Sequence, residues 1–282
     1  ALGWFDALPD AMVRARPMLA ICHAAALMYT RQLAAAESRL TDAERACATD
    51  TPGADRPTIL GWVATIRGDI ARIAGDLAHC VALSRRALEL LPGAEVIARA
   101  AAELNAARAY LISGDASSAT ERLPESAVAA ARASGNLHAI LAGLNNLAWV
   151  RYLQGRLGLA IETYARAAAA VPGEPGALVN GAAYHLGLGA IRYERGELDT
   201  AEELLARGLD LARGTLTVDA RIIARGCVAW ARLRQARDDG AGALAALDDL
   251  AALGRERGFA PYPLALLAAA LARAALAGGD LD

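Results

Sequence analysis

A hinge recurs along this chain of 282 residues. Its instances are Arg31-Gln32-Leu33, Gly75-Asp76-Leu77, Gly114-Asp115-Ala116, Gly155-Arg156-Leu157, Gly196-Glu197-Leu198, Asp238-Asp239-Gly240 and Gly279-Asp280-Leu281, and their first residues lie 44, 39, 41, 41, 42 and 41 positions apart. Five residues beyond each of the first six stands a small side chain: Ala36, Cys80, Ala119, Ala160, Ala201 and Ala243. Glycine at the hinge takes the positive φ that closes a helix. A small residue at a fixed offset lets two antiparallel helices approach closely. Such self-similarity marks a helical-hairpin solenoid.

The clearest copy runs from Asn136 to Pro172. Its first half places Leu137, Ile140, Leu141, Leu144, Leu147, Ala148 and Leu153 near the helical period, as one buried stripe. Its second half puts Ala160, Tyr164 and Ala167 on one face, with the Tyr164 ring filling the gap that the small residues leave. Those offsets match the second helix of a tetratricopeptide (TPR) repeat. The period exceeds the TPR's roughly 34 residues and approaches that of HEAT and armadillo repeats, yet the hinge and small-residue positions favour TPR packing. The expected fold is therefore all-α: a right-handed superhelix of TPR-like hairpins with a period of about 41 residues. It comprises six hairpins and the first helix of a seventh over residues 17–282, with residues 1–16 as an entry helix or linker.

Composition narrows the function classes. A net charge of −2 gives no reason to expect unaided binding to nucleic acid or anionic lipid. All 29 basic residues are arginine, so the lysine of a phosphate-binding P-loop is absent. Cys22, Cys47, Cys80 and Cys227 show no CxxC spacing and read as free thiols of a cytoplasmic protein. The apolar runs Met18–Thr30 and Leu264–Ala272 are short for a membrane span and read as repeat helices. The start at Ala1 and the stop within a hinge suggest a piece of a longer protein.

The opening WFDALPDAMVRARPMLAICHAAALMYTRQLAAAESRL and the later segments ELNAARAYLISGDASSA, GNLHAILAGLNNLAWVRYLQGRLGLAIETY and HLGLGAIRYERGELDTAEELLARGLDLA resemble the sensor domain of MalT-type, LuxR-family transcriptional regulators. This resemblance covers nearly the whole chain. It implies a STAND ATPase and a winged helix before Ala1, a helix-turn-helix domain after Asp282, and a superhelix that receives an inducer and relieves autoinhibition. ATP is then expected only in the missing N-terminal domain, with no cofactor in this fragment.

In a TPR array the first helix of each hairpin lines the inner wall. Counting 13, 10, 6, 3 and 2 residues back from each hinge yields Trp62, Thr65, Asp69, Arg72 and Arg108, then Asn145, Trp149 and Tyr152, Tyr193 and Glu194, and Arg225, Arg232, Gln235 and Arg273. The ligand candidates among them are Trp62, Arg72, Arg108, Asn145, Trp149, Tyr152, Tyr193 and Arg232. Asn145, Trp149 and Tyr152 share one helical face, with Trp149 as a stacking platform. Aromatic faces with arginine and amide groups suit a sugar-like or anionic small molecule, and equally an acidic peptide. Trp149 and Trp62 also admit a plainer role, packing against the next repeat. His23, His79, His138 and His185 lie in different repeats, and adjacent Cys22-His23 and His79-Cys80 diverge by about 100° on a helix, so no metal site is expected. No serine has histidine and carboxylate at triad spacing, so no enzyme is expected. The expected function is effector sensing in a transcriptional activator, by a small molecule or a regulatory partner. The alternative is a scaffold docking a peptide, a partner or its own ATPase domain, and self-association is a further expectation.

Overall fold

The computed structural model describes residues 2–50, 56–115, 122–133, 135, 137–170, 181–213, 220–256 and 261–278, and among them all regular structure is helical. Two short helices, α1 (Leu2–Asp6) and α2 (Asp10–Ala15), come first. Hairpins follow: α3 (Pro17–Tyr29) with α4 (Leu33–Asp50), α5 (Arg56–Ala74) with α6 (Leu77–Leu90), and α7 (Val96–Ser113) with α8 (Arg122–Ala133). Then come α9 (Leu137–Leu153) with α10 (Leu157–Ala169), α11 (Gly181–Glu194) with α12 (Leu198–Arg213), and α13 (Ala220–Ala236) with α14 (Gly240–Glu256). The last helix is α15 (Pro261–Gly278). The fold is an all-α solenoid of TPR-like hairpins.

Each described hinge has the expected geometry. Arg31, Gly75, Gly114, Gly155, Gly196 and Asp238 have φ of 65°, 90°, 76°, 72°, 74° and 59°. At each, the next amide donates to the carbonyl five residues back: Gln32 to Leu27, Asp76 to Ala71, Asp115 to Tyr110, Arg156 to Arg151, Glu197 to Arg192 and Asp239 to Arg234, at 2.9–3.1 Å. These are Schellman closures, which satisfy carbonyls that a helix end leaves without partners. Two hinge acids also cap the following helix, Asp76 accepting from the His79 amide at 3.0 Å and Asp239 from the Gly242 amide at 2.9 Å. The Gly242 amide and the Arg234 guanidinium hold the Asp239 carboxyl below its usual range. Beyond the hinges, Ala36, Cys80, Ala160, Ala201 and Ala243 are all 0% exposed. Ala119 and the hinge at Gly279 lie outside the described residues.

The chain forms two compact units, Ala1–Ala139 and Ile140–Asp282. In the first, Ile21, Leu40, Val63 and Ile66 form the core between α3, α4 and α5. Ala64, Ala87, Leu91 and Ala98 carry it on to α7. Arg67 of α5 ties this layer to α4, donating to Glu37 at 2.7 Å and to Glu44 at 2.6 Å. The entry segment is two short helices. Val13 of α2 is buried, Arg39 of α4 holds Asp10 at 2.5 Å, and the Phe5 ring of α1 stacks on His23 at 4.5 Å.

In the second unit, Leu186, Leu205, Ile223, Leu233, Leu247 and Leu267 form the main core across α11 to α15. Ala148, Ala160, Tyr164, Leu188 and Ile191 join α9, α10 and α11. First helices of successive hairpins, α11, α13 and α15, pack side by side. The reading of the buried stripe is corrected at one position. Leu153 is 45% exposed, because it lies at the last turn of α9 beside the hinge, beyond the reach of the stripe. Glu202 of α12 pairs with Arg234 and Arg237 of the next hairpin, each at 3.3 Å. Among the described residues no helix is long and apolar enough to cross a membrane.

Candidate ligand-binding face

Asn145, Trp149 and Tyr152 lie on α9 at offsets of four and three, which brings them onto one face. The Trp149 and Tyr152 rings stack at 4.8 Å with 24° between their planes. From α13, the guanidinium of Arg225 lies over the Trp149 ring at 3.6 Å, within cation–π range. From α11, the Glu194 carboxylate accepts the Tyr152 hydroxyl at 3.0 Å and pairs with Arg232 of α13 at 3.4 Å. One connected cluster thus draws on α9, α11 and α13. Trp149 and Tyr152 are half-buried, while Glu194 and Arg232 are exposed. Burial pushes the Tyr152 phenol up to about 12, the negative Glu194 adds to this, and Arg232 and Arg225 oppose it.

Beneath this strip Tyr164 of α10 is buried, donating its hydroxyl to Asn145 Oδ1 at 3.1 Å and meeting Tyr184 edge-on at 5.8 Å. Burial pushes its phenol to about 12 as well. The ring fits because position 187 is glycine. A Cβ there would sit 1.9 Å from the Tyr164 hydroxyl oxygen. Asn145 is therefore anchored from below, with its carbonyl oxygen engaged inward.

Tyr193 is half-buried and packs against the main core of this unit. Trp230 lies against the same core, with the Arg234 guanidinium 5.6 Å from its ring. Gln235 is half-buried and Arg273 exposed.

Trp62, Arg72 and Arg108 belong to the first unit. Trp62 packs between the two cores of that unit, and its indole N–H donates to Glu95 at 3.0 Å. Arg72 donates from Nε to Asp69 at 2.8 Å. Asp69, Arg72 and Arg108 all act electrostatically on the hydroxyl of Tyr29. Thr65, counted as inward-facing, is instead 3% exposed, and its hydroxyl donates to the Gly61 carbonyl at 2.9 Å. Helices α5 and α7 meet closely there, and the buried Asn105 amide donates to the Thr65 carbonyl.

The count back from the hinge also reaches Tyr29, two residues before Arg31, had it been applied to the first hairpin. Glu95 had no such signal, because it precedes α7 and meets Trp62 only through tertiary packing. Among the described residues, no group of three or more His, Cys, Asp or Glu is placed to hold a metal ion. Cys47, Cys80 and Cys227 are buried and Cys22 is exposed, all as free thiols.

The family model of the MalT-like TPR region matches residues 61–282. The chain belongs to that family. The α9–α11–α13 cluster of this MalT-like TPR region lies within the matched residues, whereas the first hairpin precedes them and shares the hinge geometry at Arg31. No curated protein matches the MalT-like chain significantly. Among solved structures it is similar to NprR in complex with its cognate peptide NprX, with a TM-score of 0.70 and 14% identity over 98% of this chain and 76% of that one. It is also similar to a Rap protein complexed with competence and sporulation factor, with a TM-score of 0.61 and 16% identity over 99% and 80%. A third is BtubC from P. vanneervenii, with a TM-score of 0.55 and 19% identity over 83% and 94%.

Proposed function

We propose that this chain is the signal-receiving domain of a MalT-type, LuxR-family transcriptional regulator, and that its effector binds on the α9–α11–α13 face. The observation that carries this reading is the cluster of Trp149, Tyr152, Glu194, Arg225 and Arg232. Three successive first helices present to solvent a ring system and charged groups joined to one another, with Tyr164 and Asn145 as a rigid floor. A ligand bridging these helices acts on the relative placement of consecutive repeats, which is how a solenoid transmits occupancy. Membership of the MalT-like family supports a regulatory role. In the fuller protein we expect ATP and DNA to be bound by flanking domains, and this chain, with no P-loop lysine and a net charge of −2, is expected neither to hydrolyse ATP nor to bind DNA specifically.

A second reading, docking of a peptide or partner segment, draws support from the similar folds solved as complexes with a peptide or factor. Both readings place the occupant on the same face. A thermal-shift screen of small-molecule and peptide libraries tests them, since a ligand of the folded state alone raises Tm. The expected effector protects the wild-type chain, and Trp149→Ala lowers its affinity by tenfold or more, in the range of a binding hot spot. An effector that protects wild type and Trp149→Ala equally would overturn the assignment.

A further inference from the structure

The described residues include Asn105, Asn145 and Asn146, all inside first helices, where asparagine is a poor helix former. Two of them spend their amide nitrogen on backbone: Asn105 donates to the Thr65 carbonyl at 3.2 Å and Asn146 to the Ala142 carbonyl at 2.7 Å. Asn145 is the reverse case. Among the described residues its side chain enters one hydrogen bond, and there it accepts, through Oδ1 from the Tyr164 hydroxyl at 3.1 Å. A buried phenol must place its one proton, and Tyr164 places it on Asn145. Burial pushes that phenol up to about 12, so it stays a donor at every physiological pH. Which end of a carboxamide points where is decided by such partners. Here Oδ1 is held inward, which turns Nδ2 and its two N–H donors away from the core on a half-buried side chain. Gly187 secures the arrangement, since the phenol reaches this position only where α11 has no side chain.

We propose that Asn145 sets the polarity of recognition on this face, donating from Nδ2 to a carbonyl oxygen of the effector, with Tyr164 as its positioning residue; this rests on reading the α9–α11–α13 face as the effector site. A group with two protons and no lone pair to offer demands an acceptor. A carbonyl oxygen, with two lone pairs and no proton, answers it fully, whereas an N–H of the effector meets nothing at that point. Trp149 stands one turn further along α9, about 6 Å on, with Tyr152 stacked against it. The effector class is an uncharged carbonyl compound, such as an amide, lactam or ketone, joined to a flat or apolar group that lies over this ring pair. An effector that covers Asn145 without an acceptor strips water from Nδ2 and leaves its donors unmade, which is the penalty that selects against it. Neither partner in the hydrogen bond is charged, so this discrimination depends little on salt. Without the phenol, Asn145 turns either way and accepts as readily as it donates.

The test uses two neutral fused bicycles of nearly equal size: indanone, which only accepts a hydrogen bond, and indole, which only donates one. Each is titrated at millimolar concentration into the whole isotope-labelled chain and followed by NMR. Wild type should bind indanone several-fold more tightly than indole, the advantage of one hydrogen bond. Only indanone should move the Asn145 side-chain amide signals downfield. Trp149→Ala should weaken both probes. Asn145→Asp replaces the donor by an acceptor that Tyr164 still holds, and should invert the preference. Tyr164→Phe should bring the ratio of the two affinities close to one, whereas a purely structural loss would weaken both probes alike and keep the ratio. Equal binding by wild type, a preference for indole, no binding of indanone, or a ratio unmoved in both Asn145→Asp and Tyr164→Phe would overturn the proposal. If the probes bind in a Trp149-dependent way with no preference, the polarity is wrong and the effector face stands. Binding that ignores Trp149→Ala and Asn145→Asp alike would remove the face itself.

Discussion

Tyr164 and Gly187 show how a single missing carbon positions the candidate site. The phenol reaches Asn145 only because α11 offers no side chain at 187, where a Cβ would fall 1.9 Å from its oxygen. Gly187→Ala should therefore destabilise the chain by about 2 kcal/mol, an overpacking cost, even though alanine is the better helix former. In a Tyr164→Leu background the ring is gone, so the same substitution should be nearly neutral. Urea titration of the four proteins of this cycle checks it, and equal costs in both backgrounds would mean that the ring is not the obstacle. Trp149 differs in kind. It is half-buried and held by Arg225 and Tyr152.

At the scale of the hairpin, the hinge decides the fold, and two of its six described copies use a residue poorly suited to it. Arg31 and Asp238 adopt φ of 65° and 59°, a region that costs an L side chain roughly 1 kcal/mol. Asp238→Gly and Arg31→Gly should each raise stability by about 0.5–1 kcal/mol, whereas Gly155→Ala should lower it by about 1 kcal/mol. Chemical denaturation of the three variants measures this, and a stabilising Gly155→Ala would contradict the hinge geometry. These hinges were legible in the sequence because positive φ and close helix approach each demand one residue type at one offset. The burial of Ala36, Ala160, Ala201 and Ala243 was legible for the same reason. What joins one hairpin to the next was not. The pairing of Glu202 with Arg234 and Arg237, and of Arg67 with Glu37 and Glu44, depends on the rotation between neighbours, which no local pattern encodes. The face carrying Asn145, Trp149 and Tyr152 followed from helical spacing. Arg225 resting on Trp149, and Asn145 tethered from below, required the packed structure.

For the molecule as a whole, the same small-residue packing that brings helices together also buries weak acids in their protonated form. Burial raises the Cys80 thiol to about 11, the Cys227 thiol to about 12 and the Tyr164 phenol to about 12. All three exceed their values in an unfolded chain, about 8.5 for cysteine and about 10 for tyrosine. The folded state therefore holds these protons more tightly than the unfolded one, and stability must fall as pH rises. The stabilisation is complete below about pH 8 and is lost progressively between about pH 9 and 12, first through the cysteines and then through Tyr164. For Tyr164 alone, a rise from 10.0 to about 12 corresponds to about 3 kcal/mol. Tyr164→Phe should lower stability at neutral pH by about 1 kcal/mol through the lost hydrogen bond to Asn145. It should also flatten the decline between about pH 10 and 12, because the variant has no phenol to ionise there. Cys227→Ala should flatten the earlier part of the decline. Unfolding free energies from urea titrations at half-unit steps from pH 8 to 12 separate level from slope, and an unchanged slope in Tyr164→Phe would mean that its phenol does not stay protonated in the folded chain.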